Sequence, residues 1–190
     1  MELLVKNISC SLSGRKIISD ISFSLKTGEI LKISGENGSG KTTLLRAISG
    51  LSSFDSGEIL INKKEIFLLG HNVGIKQNLT VEEDLEFWSN FYQNEHDHKI
   101  LKKLSLNSKM HSQCRYLSQG QKQKLALTRL FCSNKKIWLL DEPFSFLDEE
   151  SSIFLLNKIE NHRQNNGMTV IVSHQNLIKN TDLSINLGDQ

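Results

Sequence analysis

Residues 35–43, Gly35-Glu-Asn37-Gly38-Ser39-Gly40-Lys41-Thr42-Thr43, have types and a spacing suited to phosphate chemistry. They fit G-x-x-x-x-G-K-[ST], a loop whose backbone cradles phosphate oxygens. Gly35, Gly38 and Gly40 let the chain bend so that successive N–H groups point inward. A helix starting near Lys41 adds the positive end of its dipole. Lys41 has the reach for the β- and γ-phosphates, and the Thr42 hydroxyl suits a Mg²⁺ shell. Asn37, Ser39 and Thr43 complete the set expected to touch the nucleotide. The loop predicts that the chain binds a nucleoside triphosphate.

A second constellation is Ile137-Trp-Leu-Leu-Asp141-Glu142-Pro143, an apolar run ending in two adjacent carboxylates. In P-loop enzymes such a strand brings an Asp to Mg²⁺, directly or through water, and Asp141 is the candidate. Side chains alternate along a strand, so Glu142 points elsewhere and is the candidate for orienting and polarising an attacking water. A third is Leu117-Ser118-Gln119-Gly120-Gln121. Ser118 and the N–H groups around Gly120 fall at a helix start, a second place where an anion can bind.

The elements that must hold these groups are readable in outline. Residues 29–34 read as a strand entering the phosphate loop, and residues 42–48 as a helix ended by Gly50. Residues 2–12 and 16–25 carry β-like apolar runs, with Ser13-Gly14 as a hairpin signal. Strands are predicted again at 58–62, 65–69, 136–140 and 168–173, with a helix over about 149–162. From about 72 to 130 the pattern is helical. Over 81–92 it places Leu85, Trp88 and Tyr92 on one face, with Phe87 and Phe91 beside it. The prediction is one α/β domain over 1–190: a core of 1–71 and 131–190, an antiparallel β part at its N-terminus, and a helical insert of about 72–130.

Composition sets limits. A chain of 190 residues that is 38% hydrophobic can build one core of ordinary size. No apolar run is long enough to span a membrane, and no secretory signal opens the sequence. The net charge of +2 is too balanced to argue for nucleic acid as a partner. Cys10, Cys114 and Cys132 fit neither a disulfide framework nor a zinc spacing and read as free thiols. His96 and His98 have a metal-like spacing, but their polar surroundings favour a solvated stretch.

Leu117-Ser118-Gln119-Gly120-Gln121 resembles the LSGGQ signature of ATP-binding cassette (ABC) ATPases, with Gln119 in place of the first glycine. Asp141-Glu142 follows at that family's usual distance. Ser145-Phe-Leu147-Asp148 resembles its D-loop, and the strand ending at Ser173-His174 its switch histidine. The resemblance runs from about Leu3 to Asn186. It implies hydrolysis of ATP with Mg²⁺, Lys41, Glu142 and His174 acting at the γ-phosphate and water. It also implies a head-to-tail homodimer, in which Ser118, Gly120 and Gln121 close over nucleotide on another copy's P-loop.

A narrower resemblance lies in Leu69-Gly70-His71-Asn-Val-Gly74-Ile75-Lys76-Gln-Asn-Leu79-Thr80. This segment is similar to the ATP-binding subunit of the haem exporter of cytochrome c maturation, the CcmA family. His71 then stands where ABC ATPases usually place a Q-loop Gln, and inherits its task of sensing Mg²⁺ and water. Imidazole can donate or accept one hydrogen bond, so the exchange is chemically sound. The resemblance implies a peripheral subunit on the cytoplasmic face of the inner membrane, coupled to a separate integral membrane permease. Two alternatives stay open: the ATPase of another ABC exporter, of lipid or peptide, and a soluble ABC protein. Leu12 stands where the family usually carries an adenine-stacking aromatic residue; Arg15 is an alternative cover for the base.

Overall fold

Strand β1 (Glu2–Leu12) turns through Ser13 and Gly14, both at positive φ, into β2 (Arg15–Lys26). The two pair antiparallel, and β4 (Ser56–Leu60) joins the other edge of β1, giving the order β2-β1-β4. Alternation sends Leu3 and Val5 into the core, and a register shift between Val5 and Ile8 resets it so that Ile8 and Cys10 follow. The computed structural model describes residues 1–94, 99–175 and 177–188; His96 and His98 lie outside them.

Strands β3 (Ile30–Ser34), β5 (Ile66–Leu69), β6 (Ile137–Asp141) and β7 (Met168–Val172) form a parallel sheet with β8 (Leu183–Asn186), in the order β5-β6-β7-β3-β8. Every residue of β6 and β7 is buried. That is why their sequences are unbroken apolar runs: a parallel sheet covered on both faces has no wet side. Helix α1 (Lys41–Ser49) packs on β5 and β6 through Leu44, Leu45 and Ile48 and ends at Gly50, whose φ of 80° closes the last turn. Glycine is required there.

The chain divides into two compact units. The first comprises residues 1–71, 136–143 and 159–190 and contains both sheets. The second comprises residues 72–135 and 144–158. It contains α2 (Val81–Phe91), α3 (Lys99–Lys103), α4 (Gln119–Cys132) and the first part of α5 (Glu149–Gln164). Thr80 caps α2 by accepting from the Glu83 N–H, while the Glu83 carboxylate accepts from the Thr80 N–H. Ser118 and Gln121 make the same reciprocal cap on α4. All three cysteines are free and buried, and burial pushes the Cys114 thiol up to about 11.

In the first unit the His162 ring lies flat on Trp138, with centroids 3.8 Å apart and planes within 5°. Gly167 allows this, because a Cβ there would stand 2.3 Å from the imidazole. Burial holds His162 down at about 4, against an ordinary value of 6.5. The fold therefore favours the neutral ring, and its stability is full above pH 6.5. As pH falls from 6.5 to 4 the unfolded chain takes a proton that the folded chain refuses, and stability drops. Melting temperatures across that window are expected to fall in the parent and to fall less steeply in His162→Phe. An unchanged slope would place the acid sensitivity elsewhere.

Candidate active site

The carboxyl ends of β3, β5, β6 and β7 lie along one edge of the parallel sheet and carry the candidate residues of the first unit. The loop after β3 bends at Gly35, Gly38 and Gly40, with φ of 141°, 85° and 97°. A Cβ at Gly35 would meet Ser39 Oγ at 2.7 Å, and one at Gly40 would meet Ile17 and Ile18 at 2.8 Å, so both positions need glycine for space as well as for torsion. Lys41 is buried, and its ammonium donates to the carbonyls of Gly35 and Glu36 at 2.8 and 2.7 Å. The cation is thus held across the loop that it is meant to serve. Asn37 and Gly38 are exposed at the loop's crest, and Thr43 is half-buried on α1. Ser39 Oγ is buried with no hydrogen-bond partner among the described residues. A buried hydroxyl left this way is costly unless a ligand satisfies it.

Thr42 Oγ1 donates to Asp141 Oδ2 at 2.7 Å, joining the start of α1 to the end of β6. A hydroxyl and a carboxylate at this separation are hard oxygen donors of the kind Mg²⁺ takes, so the pair fits that ion. Glu142 follows at φ 49°, a left-handed backbone that costs a side-chain-bearing residue about 1–3 kcal/mol. Its N–H donates to the Val172 carbonyl at 2.9 Å, which holds the turn in place. The turn brings its carboxylate to the residues that follow β7. There His174 Nε2 lies 3.6 Å from Glu142 Oε1, an oxygen that is buried with no hydrogen-bond partner among the described residues. His71 is exposed two residues after β5, the strand paired with β6. Leu12, 63% exposed, faces Arg15 across the hairpin end.

Ser118, Gly120 and Gln121 belong to the second unit. The Ser118 oxygen accepts from the Gln121 N–H at 3.2 Å, which leaves its own proton available for an anion. Gln121 Oε1 is taken up by the Ser118 N–H at 2.9 Å, so this side chain shapes the site. Two further features of this unit have no local signal in the sequence. Lys124 and Asp148 meet at 2.5 Å, and the Lys124 ammonium holds the Asp148 carboxyl down at about 2, which fixes the segment after Phe144 to α4. Arg129, at the far end of α4, grips buried Asp84 at 2.7 and 3.0 Å and donates to the Val73 carbonyl at 2.9 Å.

A P-loop, a strand-end carboxylate pair on a parallel sheet and a capped Ser-Gln-Gly-Gln helix define an ABC-type ATPase. The ABC transporter family profile matches residues 18–145, and the chain belongs to that family. It is 33% identical to the cytochrome c biogenesis ATP-binding export protein CcmA of Aliivibrio fischeri, over 98% of this chain and 100% of the relative. The Vibrio cholerae protein of the same name is 34% identical, over 98% of this chain and 99% of the relative. Among solved structures, an ABC transporter ATP-binding protein from Pyrococcus furiosus matches with a TM-score of 0.82 and 26% identity over 98% of both chains. Within the family the chain is of the CcmA type, and it is an ATPase. The expected fold class, a P-loop core with an antiparallel N-terminal part and a helical insert, holds.

Gly120 has a steric reason to be glycine. A Cβ there would lie 2.6 Å from the carbonyl oxygen of Phe146. Alanine adds about 1 kcal/mol of helix propensity. A clash with backbone outweighs it, and Gly120→Ala is expected to cost about 1–3 kcal/mol net. Chemical denaturation measures this, and hydrogen exchange is expected to quicken over residues 144–148. A stabilised variant would show that the two segments do not touch.

Proposed function

We propose that this chain is the ATP-hydrolysing subunit that energises the haem-export system of cytochrome c maturation. The observation that carries the reading is its likeness, along nearly its whole length, to export proteins named for cytochrome c biogenesis. Gly70-His71 and the Gly74-Ile75-Lys76 segment support it.

In the proposed mechanism water attacks the γ-phosphate in line with the leaving oxygen. Loop amides from Gly35 to Thr43 hold the phosphates. Lys41 exchanges the carbonyls of Gly35 and Glu36 for β- and γ-phosphate oxygens. Glu142 accepts a hydrogen bond from the attacking water, and His174 steadies the γ-phosphate beside it. Thr42 and Asp141 would hold Mg²⁺, with His71 two residues beyond β5, the strand paired with β6; the ion would supply charge neutralisation at the phosphates. Ser118 and Gly120 act on nucleotide bound by a second copy in a head-to-tail homodimer. The chain works at the cytoplasmic face of the membrane against an integral permease, and nucleic acid has no part in its task. Among the described residues no helix is long and apolar enough to cross a membrane, which is in keeping with a separate permease.

Glu142→Gln is expected to keep ATP binding and to lower turnover by roughly 10²–10⁴-fold, since an amide cannot take the proton. In cells whose only copy carries this change, haem-stained c-type cytochromes are expected to disappear while other haem proteins persist. Near-parental hydrolysis would remove Glu142 from its role. Normal c-type cytochromes alongside abolished hydrolysis would overturn the export reading and leave the ATPase assignment standing.

The permease is proposed to dock on α2 and the loop of residues 72–80. Five large apolar groups here sort into two classes. Leu85 is fully buried, Trp88 is packed under Arg129, whose guanidinium lies 5.0 Å from the ring, and half-buried Tyr92 stacks on Trp88 with centroids 5.9 Å apart. Phe87 and Phe91 are 41% and 64% exposed, with the Lys76 ammonium over Phe87 at 4.1 Å. Two exposed aromatics four residues apart on one helix support this docking surface. Phe87→Ser with Phe91→Ser is expected to release the chain from membranes while leaving its melting temperature intact. Full retention on membranes would move the docking surface elsewhere.

A further inference from the structure

The helical unit also contains an open cleft of about 570 Å³ that nucleotide chemistry does not use. Its walls are α3, the end of α4 and the middle of α5. Phe131 and Phe154 meet edge to face at 5.7 Å and form a half-buried apolar floor. The Lys158 ammonium stands 5.5 Å from both ring centroids. Lys99 and Lys103, four residues apart on α3, also line the cleft. None of its described lining residues is acidic. Lys103 and Lys158 thus bring two positive charges to a cleft floored by two rings.

We propose that this cleft docks an acidic segment of a protein partner. A large apolar side chain seats against Phe131 and Phe154, and flanking carboxylates meet Lys103 and Lys158. Charge complementarity selects an anion, and the phenyl floor selects one with an apolar body. The open rim decides the class. Small ligands are held where most of their surface is covered, whereas Lys99, Lys103 and Asn134 are exposed here. A partner protein would supply the missing cover with its own body. A bilayer surface is flat and does not fill a concave cleft.

The test titrates a fluorescein-labelled hexapeptide, Glu-Asp-Phe-Glu-Asp-Leu, with the full chain at low salt and follows anisotropy. Saturable binding is expected. Lys103→Glu with Lys158→Glu is expected to weaken it by about tenfold or more, as is replacing the peptide's Phe by Ala. ATP hydrolysis and melting temperature are expected to stay at the parental values. Lys103→Gln with Lys158→Gln, which brings in no new charge, is expected to give a smaller loss. The proposal is overturned by absent saturation, by equal binding to the charge-reversed chain, or by equal binding of the Ala peptide. It is also overturned if phosphatidylserine vesicles bind with the same lysine dependence and displace the peptide, which would assign the cleft to lipid.

Discussion

The hydrogen bond from Thr42 to Asp141 joins residues 99 positions apart, and the remainder of the first unit is arranged so that it can form. The strands that deliver the two residues are not neighbours: β7 lies between β3 and β6. Parallel strands solve the problem, because all their carboxyl ends emerge on one edge. The phosphate loop, Asp141 and Glu142, His71 and His174 leave from β3, β6, β5 and β7 on that edge. Helix α1 then carries Thr42 over to β6, and the apolar side of the same helix buries Leu44, Leu45 and Ile48. One element thus both fills the core and aligns the chemistry.

The sequence is most legible where burial is uniform. The strands β6 and β7 stand out as unbroken apolar runs because no residue of either reaches water. The strand β8 is missed for the opposite reason. It is four residues long, mostly exposed, and has no apolar period to read. The helical unit takes in residues 144–158 as well as 72–135, through contacts such as Lys124 with Asp148 and Gly120 with Phe146. Such contacts are tertiary, and no local pattern announces them. The same holds within the site. Spacing points to Lys41, Asp141 and Glu142 as residues, but the left-handed turn at Glu142 and the carbonyl cage around Lys41 are matters of conformation. Helical periodicity places Leu85 and Trp88 on one face, and only the packed structure separates them from exposed Phe87 and Phe91.

Arg129 and Asp84 put a full ion pair in the interior of the helical unit, with side chains 7% and 1% exposed. Removing one member of such a pair leaves a buried charge and costs about 3–5 kcal/mol. Both oxygens of Asp84 and two of the guanidinium nitrogens are used, and Val73 takes a further bond. This geometry is specific in a way that apolar packing is not, because a slip of α2 along α4 by one turn would break both Asp84 bonds at once.

Helix α4 therefore behaves as a rod pinned at both ends. It runs 14 residues, Gln119–Cys132, and Arg129 lies 11 residues beyond the cap at Ser118. At the usual rise per residue that separation is about 17 Å. A pivot of about 10° about one end displaces the other by about 3 Å, more than a hydrogen bond can stretch. The backbone at Val73 and Gly74 is fastened to the far end by Arg129, so it must follow or let go. Stiffness, rather than any chemical group along its length, makes the helix a displacement gauge: what happens at Ser118 is reported at Val73 in ångströms.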